Sequence, residues 1–315
     1  MDRYWVGGTA NWDATAGSKW AATSGGAGGA AVPTSADDVY FDAASGAVTC
    51  TVTAIANCGA LNFTGFTGTL AGSSSIQTNN NVTVAAGMGW THTGSLTFLG
   101  GSTQTLTTNG KSITSNVVTD GSSTTLSLAD ALTSTGSVTV TRGTFTTNNF
   151  NVTATSLSSS NSNTRTINLG SSTVTLSSST PLSFLTNTNL TFNAGTSTFV
   201  FNGTDVSIVG GPTSATGASF HNVQFTNINA NTHNIQSANT FNNLTITGSS
   251  TAGVRQVTFD SRQTINGTLS TTGTAGNRRV WFRGATYGLA QTLTINSAPS
   301  LTDADFRDIY VIGTA

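Results

Sequence analysis

The 315 residues contain no Glu, so twelve aspartates supply every carboxylate side chain. Acid–base or metal chemistry would have to come from how these are grouped. Asp37 and Asp38 are adjacent. On a strand, neighbours point to opposite faces, which makes them a poor general acid/base pair and suits them to turn chemistry ahead of the next strand. "TDADFRD" holds Asp303, Asp305 and Asp308, with Asp303 and Asp305 on the same face as Arg307. It lacks the glycine and the ligand spacing of an EF-hand loop, which argues against a calcium site, and a glycosidase pair is equally poorly supported. His92, His221 and His233 have no metal-ligand spacing, and His221 reads as a solvated position. No Ser-His-Asp or Cys-His arrangement can be argued from a chain this rich in Ser. Cys50 shares alternation parity with Val48 and Val52 and points inward; Cys58 has the opposite parity. They read as two small buried or half-buried thiols rather than a disulfide.

One grouping is sharper. In "RVWFRG", inward Val280 and Phe282 leave Arg279, Trp281 and Arg283 facing outward. With Asp303 and Asp305 they form a candidate contact patch on a surface otherwise made of Thr and Ser. Three uses stay open: a local Trp–Arg stack with weak exposed ion pairs, a contact for a neighbouring subunit, or a glycan site.

The elements that must carry these residues are strands. Charged residues make up 7% of the chain, against roughly 25% in an ordinary soluble domain. Lys occurs twice, at Lys19 and Lys111. Thr, Ser, Asn and Gly favour strands and turns over helix. The formal net charge of −1 gives no electrostatic reason to expect nucleic acid or an anionic membrane as partner. No apolar run approaches the ~20 residues of a membrane-spanning helix, so no membrane insertion is expected. Arg3 is followed by Gly7, Gly8 and Asn11 rather than an apolar core, so no signal peptide is read.

Short alternating segments recur along the chain, among them "SVTVT", "TVTLS", "NLTFN", "NLTITG" and "RVWFRG". Their inward pairs repeat. Val174/Leu176 steps to Phe199/Phe201, and Val223/Phe225 to Leu244/Ile246, then to Leu269 and Leu293. Interleaved with these, Ile167/Leu169 steps to Leu190/Phe192, and Val257/Phe259 to Val280/Phe282 and on to Ala304/Phe306. Two interleaved ladders sharing one period of about 21–25 residues mean at least two strands per coil. The expected fold is therefore all-β: a right-handed parallel β-helix (solenoid) over residues 47–315, with about 11–12 coils of about 23 residues. The ladders place Gln256, Arg279 and Asp303 in one outward column, Thr258, Trp281 and Asp305 in the next, and Asp260, Arg283 and Arg307 in a third.

Five Asn-x-Thr triplets, at Asn62, Asn81, Asn151, Asn189 and Asn243, fit coil corners: Asn left-handed, the middle residue inward, Thr outside. Residues 1–46 show no such period and hold Tyr4, Trp5, Trp12 and Trp20. They read as an atypical N-terminal cap and docking segment over the first coil, whose exposed edge needs cover. "SGGAGGA" (24–30) reads as a flexible link within it. A carbohydrate platform is the rival use of these aromatics.

The opening "YWVGGTANWDATAGSKW…SGGAGGAAVPTSADDVYF" resembles the N-terminal module of large β-helical surface proteins, seen in autotransporter-like bacterial exoproteins and in virion proteins of tailed bacteriophages. "SSSNSNTRTINLGSSTVTLSS" and "RQTINGTLSTTGTAGN" resemble repeats of the same phage proteins. The resemblance implies a structural and adhesive virion protein: a tail fibre, spike or decoration component that contacts the host surface. Its partners would be other virion proteins and a host polysaccharide or receptor, its assembly a homotrimer, and its location the virion, released by lysis. It implies no cofactor, and the carboxylate clusters of the family's catalytic members have no counterpart here. A polysaccharide depolymerase and a bacterial surface adhesin are the alternatives. The chain stops at "DIYVIGTA" without a cap, so a further region or a partner is expected to cover the last coil.

Overall fold

The computed structural model describes residues 1–212, 216–229 and 232–315. They form two compact units, one of Met1–Ala154 with Thr164–Thr166, the other of Thr155–Asn163 with Ile167–Ala315. Among the described residues there is no α-helix. Both units are built of parallel stacked coils of a β-solenoid, about 12 turns in all.

In the first unit each coil lays down strands on three faces. One inward column runs Arg3, Val39, Leu61, Val82, Leu106, Leu128. A second runs Ala10, Cys50, Leu70, Trp90, and a third Ala56, Ile76, Leu96, Val117, Val138. Most strands contribute alternate apolar residues to the core and Thr, Ser or Asn to the surface, which is the two-residue period of a half-buried strand; the first, with Arg3 inward and Tyr4 outward, is an exception. The coil step here is 19–24 residues from Val39 onward, as in Thr125 to Thr144 or Val82 to Leu106.

In the second unit the expected steps Val174 to Phe199 and Val223 to Leu244 to Leu269 stand in register, and Phe199 opposite Val223 joins them into one ladder. Three steps differ from expectation. The Leu169 amide donates to the Asn193 carbonyl, which sets Ile167 against Phe192 rather than Leu190. Leu293 lies over Gln263, not Leu269. The long strand Thr240–Thr247 carries Gln263–Ile265 on one half and Leu269–Thr272 on the other, and the chain returns onto the first of these. Val257 lies under Phe282, and Arg255 under Val280, so this step is two residues longer than the hydrophobic pairs suggested. A slip of two keeps every side chain on its face, which is why the pattern tolerated either register.

The first residues are not laid across the coil end as a separate body. The strands Asp2–Trp5 and Ala10–Trp12 stack in parallel on Asp38–Tyr40 and Thr49–Val52. The repeat is hidden because an excursion stretches the step from Asp2 to Asp38. That excursion returns the strand Trp20–Ala21 antiparallel to Asp2–Trp5, pairing an edge that would otherwise stay open. The glycine stretch within it is held in place: the Gly29 and Ala30 amides donate to the Trp20 carbonyl, and a Cβ on Gly28 would lie 2.1 Å from the Ser18 carbonyl oxygen.

The asparagine triplets work differently from the expected corner. Of the five, Asn189 alone is left-handed, with φ 59. Asn81 Oδ1 instead accepts the Thr105 amide and Asn243 Oδ1 the Thr268 amide, each in a neighbouring coil. A short amide side chain on the outer face thus substitutes for a backbone partner between coils. Of their middle residues, Phe63, Val82, Val152 and Leu244 are buried, and Leu190 is half-buried.

Cys50 and Cys58 are free and buried on different faces. Burial pushes the Cys50 thiol well above its ordinary range and the Cys58 thiol up to about 12, so neither is a nucleophile at neutral pH.

Candidate functional site

The outward patch of the second unit sits on the strands Arg278–Gly284 and Ala304–Arg307, paired in parallel with Trp281 opposite Asp305 and Arg283 opposite Arg307. Register revises the columns. Gln256, Trp281 and Asp305 form one, and Thr258, Arg283 and Arg307 another, while Asp260 lies past the end of its strand. Asp303 and Asp308 bracket the second strand with φ of 50 each, a conformation that aspartate tolerates better than most residues.

All five singled-out side chains meet here. Arg279 grips Asp305 with two bonds, Nε to Oδ2 at 2.6 Å and Nη2 to Oδ1 at 2.7 Å. Its Nη1 reaches Asp303 at 3.3 Å. Arg283 and Arg307 each place their guanidinium carbon 5.6 Å from the Trp281 ring centre. Arg307 also lies 3.0 Å from the centre of the Tyr287 ring, which is 73% exposed. Arg283 donates to the Gly284 and Ala285 carbonyls and to Gln256 Oε1. The hydrogen-bonded Arg279 guanidinium holds the Asp305 carboxyl below the usual carboxylate range, so it stays ionised and cannot donate a proton near neutral pH. Two carboxylates on one guanidinium form a clamp. The patch presents planar cations and aromatic rings, which suits contact more than turnover.

The N-terminal aromatics divide. Trp5, Trp12 and Trp20 are buried. Trp20 meets Trp5 edge-on at 5.0 Å and Trp12 at 5.1 Å, and Phe41 lies beneath, stacked on Trp5 at 5.6 Å and on Phe63 at 5.0 Å. The aromatic column therefore continues into the next coils. Tyr4 does not join it. As the neighbour of Trp5 on one strand it faces out, where it stacks on Tyr40 at 4.8 Å. Asp37 is a structural group: it accepts the Thr34 amide and hydroxyl and lies 3.4 Å from Arg3. Asp38 accepts the Ala60 amide across coils.

Two polar groups inside the coils escaped the sequence reading. His92 is fully buried; its Nε2 meets the Ser74 carbonyl and its Nδ1 the Ser115 hydroxyl, both at 2.8 Å. A carbonyl only accepts, so Nε2 carries the proton. Trp90 Nε1 also donates to Ser115 Oγ. This Ser–His contact has no opening to solvent, and it reads as internal hydrogen-bond satisfaction. His233 and Arg255, likewise fully buried, touch inside the second unit. Parity was the available signal for Arg255, two residues before inward Val257. His221 is half-buried between inward Phe220 and Val223. Among the described residues no group of three or more His, Cys or Asp side chains could hold a metal, and no helix is long and apolar enough to cross a membrane. No protein-family model, curated protein or solved structure matches this chain.

Proposed function

We propose that this β-solenoid is a structural and adhesive component of a tailed-bacteriophage virion. It acts as a fibre, spike or decoration protein that docks to other virion proteins through residues 1–46, assembles as a homotrimer and meets a host polysaccharide or receptor. The phage assignment rests on the resemblance carried by the opening residues and the repeats. The non-catalytic, contact-making role rests on one observation: Asp303 and Asp305, the carboxylates of the outward patch, are both engaged by Arg279, while Trp281 and Tyr287 are framed by cations. A hydrolase would need one carboxylate free to carry a proton.

The test is mass spectrometry of purified particles from the host carrying this gene, with copy number per particle. Incorporation in multiples of three supports the proposal. Absence from particles, with recovery in the bacterial surface fraction, overturns it in favour of an adhesin. Release of reducing ends from host polysaccharide by the purified chain would overturn the non-catalytic part.

A further inference from the structure

Two side chains that ordinarily seek water are fully buried within the second unit. His233 lies on the strand Thr232–Gln236, and the strand Gly253–Phe259 stacks on it with Val257 opposite His233. Arg255, two residues earlier, shares the inward face. Its Nη1 is 2.5 Å from His233 Nε2, and its Nη2 donates to the carbonyls of Asn227 and Asn229. Its Nε has no hydrogen-bond partner. The Val206 amide approaches the other imidazole nitrogen, Nδ1, at 3.3 Å.

A neutral imidazole offers one lone pair and one N–H. Here both ring nitrogens face donors, so a single lone pair serves two N–H groups. A second ring proton would remove that lone pair and set a full charge against the guanidinium, away from water. The charged group facing the imidazole is Arg255 from the strand above; Asp205, from the turn below, acts on Arg255. Asp205 is engaged through Oδ1 with the Thr232 amide. The strand Ser207–Val209 below carries no ionisable side chain. The strand Ser219–Phe225 contributes the Phe225 ring, 4.7 Å away. Ala230 and Asn231 lie outside the described residues and carry no ionisable side chain.

We infer that the His233–Arg255 contact is an acid-sensitive joint, closed at neutral pH, which opens the coils between Val206 and Phe259 when the imidazole takes up a proton. Burial and then the Arg255 charge push the His233 pKa down to about 3; burial pushes Arg255 down to about 10. The folded value lies below the ordinary value of about 6.5, so the opened coil binds the proton more tightly. Opening is therefore favoured as pH falls below about 6.5, about tenfold per pH unit, until the folded group itself titrates near 3. Between pH 7 and pH 4.5 the open fraction rises about 75-fold.

The experiment is hydrogen exchange read by mass spectrometry on the full chain, corrected for the intrinsic pH dependence of exchange. Peptides covering 206–212, 219–229, 232–236 and 254–259 are followed from pH 7 to pH 4.5. Wild type is expected to lose protection there by the stated factor. His233→Gln keeps an acceptor for Arg255 but does not titrate, and should abolish the pH slope in these peptides while leaving that around His92 unchanged. If His233→Gln fails to fold, Arg255→Met serves: removing the cation should raise the imidazole pKa and shrink the slope. A flat wild-type profile, a slope that survives His233→Gln, or one unchanged in Arg255→Met overturns the inference. So does an imidazole NMR resonance for His233 that titrates near 6.5 with protection intact.

Discussion

Trp20→Ala removes the indole at the centre of the N-terminal aromatic group. The ring is fully buried and meets Trp5, Trp12 and Phe41 edge-on at 5.0, 5.1 and 6.2 Å. An aromatic of this size buries about 200 Å², worth about 5 kcal/mol at roughly 25 cal/mol per Å². One term opposes this: Trp20 Nε1 is buried with no hydrogen-bond partner, and such an orphan donor costs about 1–3 kcal/mol. The net expected loss is about 2–4 kcal/mol, within the range for large-to-small core substitutions. Stacked coils open locally, so a global melting curve would dilute the effect. Hydrogen exchange resolves it: amides of Asp2–Trp5, Ala10–Trp12 and Asp38–Tyr40 should lose protection by about 30- to 1,000-fold, with coils beyond Val82 unchanged. Trp20→Phe keeps most of the ring contact and removes the orphan N–H, so its cost should stay within about 1 kcal/mol. Protection unchanged in Trp20→Ala would refute the reasoning, as would a Phe variant as damaging as Ala. An unchanged Ala variant would favour a surface platform for the aromatics over a stabilising core.

Asp37→Ala should cost about 3 kcal/mol in urea unfolding, because it strands the largely buried Arg3 guanidinium and leaves the Thr34 groups unpaired. Burial works against the carboxylate, yet the Thr34 hydrogen bonds, the N-terminal ammonium and Arg3 outweigh it and hold the Asp37 pKa below its ordinary 3.8; its stabilisation is present above pH 3.8 and fades as pH falls below it, so wild type and variant should converge in strong acid. A double-mutant cycle on Arg279 and Asp305 should return little coupling despite the two-pronged geometry, since water reaches both side chains; a strong coupling would mean the clamp is desolvated by something bound over it. Gly72→Ala should destabilise by at least about 1–3 kcal/mol in thermal unfolding, because φ is 105 and the new Cβ would sit 2.2 Å from the Val52 carbonyl oxygen; a neutral result would show that this coil can shift.

Much of the solenoid is legible in the sequence. Alternation of apolar and hydroxyl side chains tells which residues face in, and parity survives any even shift. The inward placement of Val174, Phe199, Val223 and Leu244, and the outward placement of Arg279, Trp281 and Arg283, follow from the chain alone. Register does not. Placing Val257 under Val280 or under Phe282 buries the same kinds of atoms, and the choice falls to corner geometry and to what the coils above and below already occupy. The same limit hid the first coil, because the excursion between Trp12 and Asp38 broke the period that would have revealed it. It also concealed the two buried pairs: parity could turn Arg255 inward, but its meeting with His233, like that of Ser115 with His92, depends on which residue of one coil lies over which residue of the next. Composition and alternation determined a stack of parallel strands with these faces. Tertiary structure decided the vertical neighbours, because contacts between coils join residues some twenty or more positions apart whose identities carry no local signal of one another.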